Sequence, residues 1–351
     1  MPYLARLLLT LAIGTVGGTI FFLAGLPLPW MLGPMCLVAI FAVSGFPIVS
    51  VRKMRPPLMA LIGVALGSAF TPETFSRIPE WYPLTIATFV ATVLMGAVGF
   101  FYLRRVAHYD PVTAYFAAMP AGIYEMTYQG SLLGGDERRI ALSHAVRIFM
   151  IVMTVPIAFR WYFDLGHALS GLRLTPAPEG GLALKDIAIL VLSAVVGWPL
   201  ARLLRLPNAP FIGALLASIA VHGAGIIETA PPPELVSVAQ ILLGTSIGGQ
   251  FIGARFSDLR RTAAHSALLT PLLLALNVVI ALVTSRLSPI EFPALLLSLA
   301  PGGLAEMSLL ALAMHIEVIA VVSHQFMRIL LVNGLAVFAF RALNRVRKYT
   351  G

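Results

Sequence analysis

Charge is scarce in this sequence. Asp, Glu, Lys and Arg make up 11% of its 351 residues, where a soluble domain carries about 25%. A surface solvated on all sides is therefore excluded, and no stretch is left over that could build a soluble domain of useful size. Cysteine is scarcer still: Cys36 stands alone, so intramolecular disulfides and Cys-based metal centres are excluded. The seven His are scattered, with no cluster able to hold copper or iron. Nucleotide-binding loops, Ser-His-Asp or Cys-His arrangements and HExxH-type motifs are all missing, which leaves enzymatic chemistry without residues to stand on. No enzyme activity, cofactor or metal is expected.

Acids are fewer than bases, 15 against 24 Lys and Arg, for a net charge of +9. Such an excess can serve nucleic acid, but here the bases lie in short loops and at the C-terminus (Arg341, Arg345, Arg347, Lys348) rather than along one stripe. Direct nucleic-acid binding is not expected. Basic anchors on the cytoplasmic face of a membrane account for the pattern.

What the chain has in abundance is apolar sequence, 59% of all residues. Runs of spanning or near-spanning length cover Leu4 to Leu23, Tyr82 to Leu103, Ile140 to Ala158, Leu182 to Leu200, Ala263 to Val283 and Val318 to Phe338. An all-α polytopic membrane protein follows, with the lipid bilayer as its main partner. The first run could pass for a signal peptide behind Arg6. Its counterpart deep inside the chain marks it as a retained span.

That counterpart belongs to an internal duplication. An offset of about 180 residues places Gly17 on Gly197, Leu26-Pro27 on Leu206-Pro207, and Gly33 on Gly213. At 181, "IGVALGSAF" (62–70) falls on "LGTSIGGQF" (243–251), and "MPAGIYEM" (119–126) falls on "APGGLAEM" (300–307). Further on, Glu125, Asp136 and Arg147 match Glu306, Glu317 and Arg328, with the same spacing in both copies. The halves run from 4 to 165 and from 183 to 345, joined by a Gly/Pro-bearing polar linker over 166–182.

Loop charges indicate that the halves are inverted. "SVRKMR" (50–55) is basic while its counterpart near Glu228 and Glu234 is acidic, and the stretch from Glu73 to Glu80 opposes Arg255, Arg260 and Arg261. Inversion requires an odd number of crossings per half, so five crossings plus one broken or re-entrant segment are expected in each. With both termini cytoplasmic, 17 Lys and Arg fall inside and five outside, Arg147 and Arg328 lying within spans. A multi-pass protein of a bacterial inner membrane is the expected setting.

The candidate site lies in the broken segments. Pro120 and Pro301 each remove a backbone donor, and Gly122, Gly302 and Gly303 relax the chain beside them, freeing carbonyls and amides. Glu125 and Glu306 follow about one turn into the restarted segment. They are either N-terminal caps favoured by the helix dipole or a proton or cation site. Arg147 and Arg328 lie inside apolar runs, about three turns beyond Asp136 and Glu317 on the same helix face. Buried guanidinium groups need partners; a helix-locking ion pair and a substrate-anion or counter-ion role are both open. His144 and His324 do not align, since His144 meets Gln325, and satisfied polar contacts are expected of them. The Gly spacings around residues 63–67 and 244–248 suit close helix packing.

The repeated P-[AG]-G-x-x-E-M element, the Leu-Pro element with its later Gly and the [DE]-x10-R spacing together resemble the AbrB family of integral membrane proteins, over nearly the whole chain. The first copy departs from Pro-Gly-Gly at Ala121. The resemblance implies an internal membrane duplication. It also brings a role attributed to one member, membrane regulation of gene expression, and a label as an ammonia monooxygenase that the missing metal ligands do not support. Two functions follow as expectations. One is a proton- or cation-coupled secondary transporter, or a protein derived from one, acting on a small solute or ion. The other is a membrane-embedded regulator working through a partner or by controlling uptake.

Overall fold

The computed structural model describes residues 2–162, 183–314 and 316–349, and the described residues are helical without strands. The linker expected at 166–182 lies outside the described residues. The first half supplies α1 (Tyr3–Leu23), α2 (Pro29–Val43), α3 (Arg55–Gly67), a short α4 (Pro72–Ser76), α5 (Tyr82–Arg105), α6 (Pro111–Ala118), α7 (Ile123–Leu132) and α8 (Glu137–Tyr162). The second supplies α9 (Leu184–Leu203), α10 (Ala209–Gly223), α11 (Pro233–Gly248), α12 (Phe256–Thr284), α13 (Phe292–Leu299), α14 (Leu304–Ala313) and α15 (Val318–Tyr349).

Six of these, α1, α5, α8, α9, α12 and α15, are long and apolar enough to cross a membrane. They coincide with the six apolar runs of the sequence. The chain is a multi-pass membrane protein. At 15, 13 and 15 residues, α2, α3 and α10 fall short of the roughly 20 needed to span the hydrocarbon alone. Large apolar side chains such as Val191, Leu192, Val195, Val196 and Leu200 of α9 are exposed, as lipid contact requires and water would penalise.

The helices pack into two units, each built from both halves of the sequence. The first unit gathers α1 to α4, the end of α8, α9 to α11 and the end of α14. Its crossings are made by glycine. α1 meets α2 at Gly17 and Gly33, whose backbones touch so closely that a Cβ on either would overlap the other. α9 meets α10 in the same way at Gly197 and Gly213. In lipid no hydrophobic force draws helices together, so close backbone approach and dispersion carry the contact.

Two further crossings in this unit are reciprocal. Gly63 and Gly67 of α3 press on Phe211, Leu215 and Ser218 of α10, while Gly244 and Gly248 of α11 press on Met31, Met35 and Val38 of α2. The two sets are related by the offset found in the sequence.

The second unit gathers α5 to α7, the start of α8, α12, α13, the start of α14 and nearly all of α15. α5 packs against α6, α12 and α13. α5 and α12 run antiparallel, since Tyr102 meets His265 and the carbonyl of Ala107, just past the end of α5, meets Arg261 near the start of α12. The Tyr115 hydroxyl of α6 donates to the Ala336 carbonyl of α15 at 2.9 Å. Phe340 lies against Tyr115 and Phe116.

Candidate functional site

Both Pro-Gly elements interrupt helices of the second unit. α6 stops at Ala118 and α7 begins at Ile123; α13 stops at Leu299 and α14 begins at Leu304. The residue before each proline is forced out of the helical region by the pyrrolidine ring. Met119 accordingly has φ −58° and ψ 129°, and Ala300 has φ −57° and ψ 132°. Each break thus creates two helix ends within an apolar run, one with free carbonyls and one with free amides.

The carbonyl ends are covered by the two buried arginines. Arg147, on α8, donates through Nη1 to the carbonyls of Ala117 and Ala118 at 3.2 and 3.1 Å, and through Nη2 to that of Met119 at 2.9 Å. Arg328, on α15, donates to the carbonyl of Ala300 through Nη1 and to that of Gly302, 2.9 Å from Nη2. A cation at a helix C-terminus is favoured by the dipole and by carbonyls that have no intrahelical donor.

A second residue completes each cover, and it differs between the two breaks. His144 lies with Nε2 2.9 Å from the Phe116 carbonyl and Nδ1 2.9 Å from Arg147 Nη2. Because the guanidinium can only donate, Nδ1 must accept and Nε2 must carry the proton. Gln325 does the same with its amide: Nε2 donates to the carbonyls of Leu297 and Ala300, and Oε1 accepts from Arg328 Nη2. Gln325 is therefore the functional equivalent of a neutral His144. His324, its neighbour, faces elsewhere, toward Thr85 and the Ala320 carbonyl.

The amide ends carry the glutamates. Glu125 and Glu306 are each the third residue of their helices, α7 and α14. Their carboxylates fold back so far that a Cβ on Gly122 would overlap Glu125 and one on Gly303 would overlap Glu306. This is the position from which an acid reaches back to the first free amides of a helix. Gly122 and Gly303 are thus needed for space beside the acid. Met307 fills the volume under Gly302. Glu306 is buried and Glu125 half-buried.

Asp136 and Glu317 do not join the arginines, correcting the grouping drawn from their spacing. Both precede their helices and so stand at the ends of α8 and α15, where side chains reach the polar boundary. Asp136 accepts from the Arg139 amide at 3.0 Å and pairs with its Nε at 3.2 Å. Glu317 pairs with Arg77 at 3.2 Å. The partners of Arg147 and Arg328 are backbone carbonyls instead of carboxylates. Backbone acceptors leave no mark in a sequence, so only the burial of the arginines was readable.

One more matched pair was missed in the sequence. Asp110 caps α6 by accepting from the amides of Val112 and Thr113, and Glu291 stands at the same place before α13. Each precedes a helix with proline in its first turn, Pro111 and Pro293, a signal that could have found both.

A family described as transition state regulatory protein AbrB matches residues 3–344. The chain belongs to the AbrB family. Two relatives extend this across organisms. A protein of Bacillus subtilis (strain 168), YhjN, described as uncharacterised, is 23% identical over 363 residues, covering 96% of this chain and 92% of that one. A candidate regulator of Escherichia coli (strain K12), AbrB, is 23% identical over 322 residues, covering 91% and 92%. No group of three or more His, Cys, Asp or Glu able to hold a metal ion occurs among the described residues of this AbrB-family chain.

Proposed function

We propose that this AbrB-family membrane protein is a proton- or cation-coupled secondary transporter, or a protein derived from one, with its site at the two broken helices. The observation that carries the reading is the pair of breaks inside one unit, each with a buried arginine on its carbonyl end and a glutamate on its amide end. Discontinuous helices with ionisable side chains at membrane depth are how many secondary transporters bind solutes and coupling ions. The reading is non-enzymatic, and its partners are the bilayer and a small solute or ion.

An inverted duplication, which the reading includes, would support it. The reciprocal contacts of α3 with α10 and of α11 with α2 are the kind a pseudo-twofold axis relating the halves would give. α5 and α12, counterparts at an offset of about 181, run antiparallel. On this reading the halves 4–165 and 183–345 face opposite ways, in an inner membrane with both termini cytoplasmic. Contacts group the loops as the charge rule does: Arg138 with Asp258, Arg139 with the Tyr109 ring, and Arg261 with the Ala107 carbonyl lie on one side.

The test is the Glu125→Gln, Glu306→Gln double variant of the purified protein. A ligand that binds only the native state raises its melting temperature. We expect a melting temperature that depends on sodium or on pH in the wild type and loses that dependence in the variant, which still folds. Proton- or sodium-driven uptake into proteoliposomes should be lost with it. Unchanged cation and pH response in the double variant would reduce the glutamates to caps. The second reading, a regulator of gene expression acting through a partner or by controlling uptake, draws on the name of the Escherichia coli relative. Uptake by the purified protein alone separates the two.

A further inference from the structure

We propose that Arg147 and Arg328 together hold a small oxyanion, the carboxylate or phosphate group of the carried solute. Only the word "carried" rests on the transport reading; the binding stands on the following geometry.

The two guanidinium groups are permanently charged and deeply buried, with 4% and 3% of their surface exposed. Their hydrogen-bond partners are neutral: carbonyls, His144 and Gln325. Arg328 also lies within the field of Arg147, a like charge. Among the described residues the one buried acid is Glu306, and its carboxylate is turned back over Gly303. Two buried cations therefore stand against one buried anion.

Hydrogen bonding points the same way. Arg147 uses both terminal nitrogens on the first break and Arg328 does so on the second, yet the Nε–H of each is buried with no acceptor among the described residues. The same donor is left over in both copies. A buried donor without an acceptor is unfavourable. Water would satisfy the N–H groups but leave the repulsion between the guanidiniums. A negatively charged acceptor does both, and oxyanions match the guanidinium fork. An anion at the arginines would also complement a proton or cation at the glutamates, so that solute and coupling ion cross with little net charge.

The experiment uses the full-length protein purified in detergent, with sodium succinate, sodium phosphate and short-chain phosphatidylglycerol as probes over sodium chloride of matched ionic strength. Wild type, Arg147→Lys, Arg328→Lys and Arg286→Gln are compared, the last removing an exposed positive charge. We expect a saturable rise in melting temperature with succinate or phosphate. Affinity should fall by about tenfold or more in both lysine variants, which keep the charge but lose the fork, and stay unchanged in Arg286→Gln. Stabilisation no greater than in chloride, the same affinity in the lysine variants, or a response to the lipid alone would overturn the proposal. Should a lysine variant fail to fold, protection of wild-type Arg147 and Arg328 from phenylglyoxal by succinate or phosphate decides, and its absence counts against binding. Cation-driven uptake of an uncharged solute without anion binding would defeat this inference alone. Anion binding without cation coupling would defeat the transport mechanism alone.

Discussion

His144→Gln should be nearly silent, although it replaces a fully buried histidine. His144 does two things: it accepts from Arg147 Nη2 and lies against the Phe116 carbonyl through Nε2. Glutamine has an acceptor and a donor at comparable reach, and Gln325 already performs both tasks beside Arg328. His144→Ala removes both partners. A hydrogen bond to a charged group contributes about 1.5–3 kcal/mol, and an abandoned buried group costs about 1–3 kcal/mol. With the cavity left by the ring, the loss should be about 3 kcal/mol or more, against no more than about 1 kcal/mol for glutamine. The assay is the thermal unfolding midpoint of the purified protein in one detergent, supplemented by the rate of inactivation at a fixed temperature, because unfolding of such proteins is often irreversible. For a chain of this size about 1 kcal/mol corresponds to roughly 2 °C. Alanine should therefore lower the midpoint by about 6 °C or more and glutamine by about 2 °C or less. Between about pH 8 and 5 the wild type should lose stability relative to His144→Gln, because the unfolded chain can take up a second proton on this histidine while the native bridge, where that proton would set two donors against each other, cannot. Equal losses for glutamine and alanine, or a wild type that gains stability relative to His144→Gln on acidification, would refute the assignment of a neutral bridging role.

The glycine crossings should be intolerant and selective. Gly213→Ala would drive a Cβ into the Gly197 backbone and should prevent folding or cost several degrees in the midpoint, whereas Gly334→Ala, with nothing within 4 Å, should gain about 0.5–1 kcal/mol of helix stability. On the proposed orientation, in a Cys36→Ser background, a cysteine at Gly171 should react with a membrane-impermeant maleimide from outside and one at Arg347 should not. The reverse labelling pattern would end that orientation.

The spans were legible because composition suffices: a run of about 20 apolar residues has few other uses. The two breaks were legible for a similarly local reason, as Pro120 and Pro301 act on their own backbone and on the residue before them. The partners of Arg147 and Arg328 were not. Their charge in an apolar run showed that something must compensate them, but a carbonyl acceptor is supplied by every residue and specified by none. The spacing to Asp136 and Glu317 offered a compensating charge on the same helix face, and helix starts at Glu137 and Val318 removed both acids to the ends. Gln325 was hidden by a different habit of reading. Aligned by position, His144 and Gln325 share no identity, whereas compared by donor and acceptor they make the same arrangement. The division into two units drawing on both halves was also beyond the sequence, because it depends on which of many glycine-bearing faces meet.

A break in a membrane helix exposes partial charges of both signs, about half a positive charge at the amide end and half a negative charge at the carbonyl end. In this protein the negative ends are covered by groups that cannot lose their charge, Arg147 and Arg328. The positive ends face groups that can, Glu125 and Glu306. On the transport reading proposed above, capping and ion binding would be one property at two occupancies. A glutamate that took up a proton or a cation would loosen its hold on the start of α7 or α14, while the arginine end of the same break stays fixed. That asymmetry would give each broken helix one constant end and one adjustable end, the arrangement a coupled carrier requires and a purely structural kink does not.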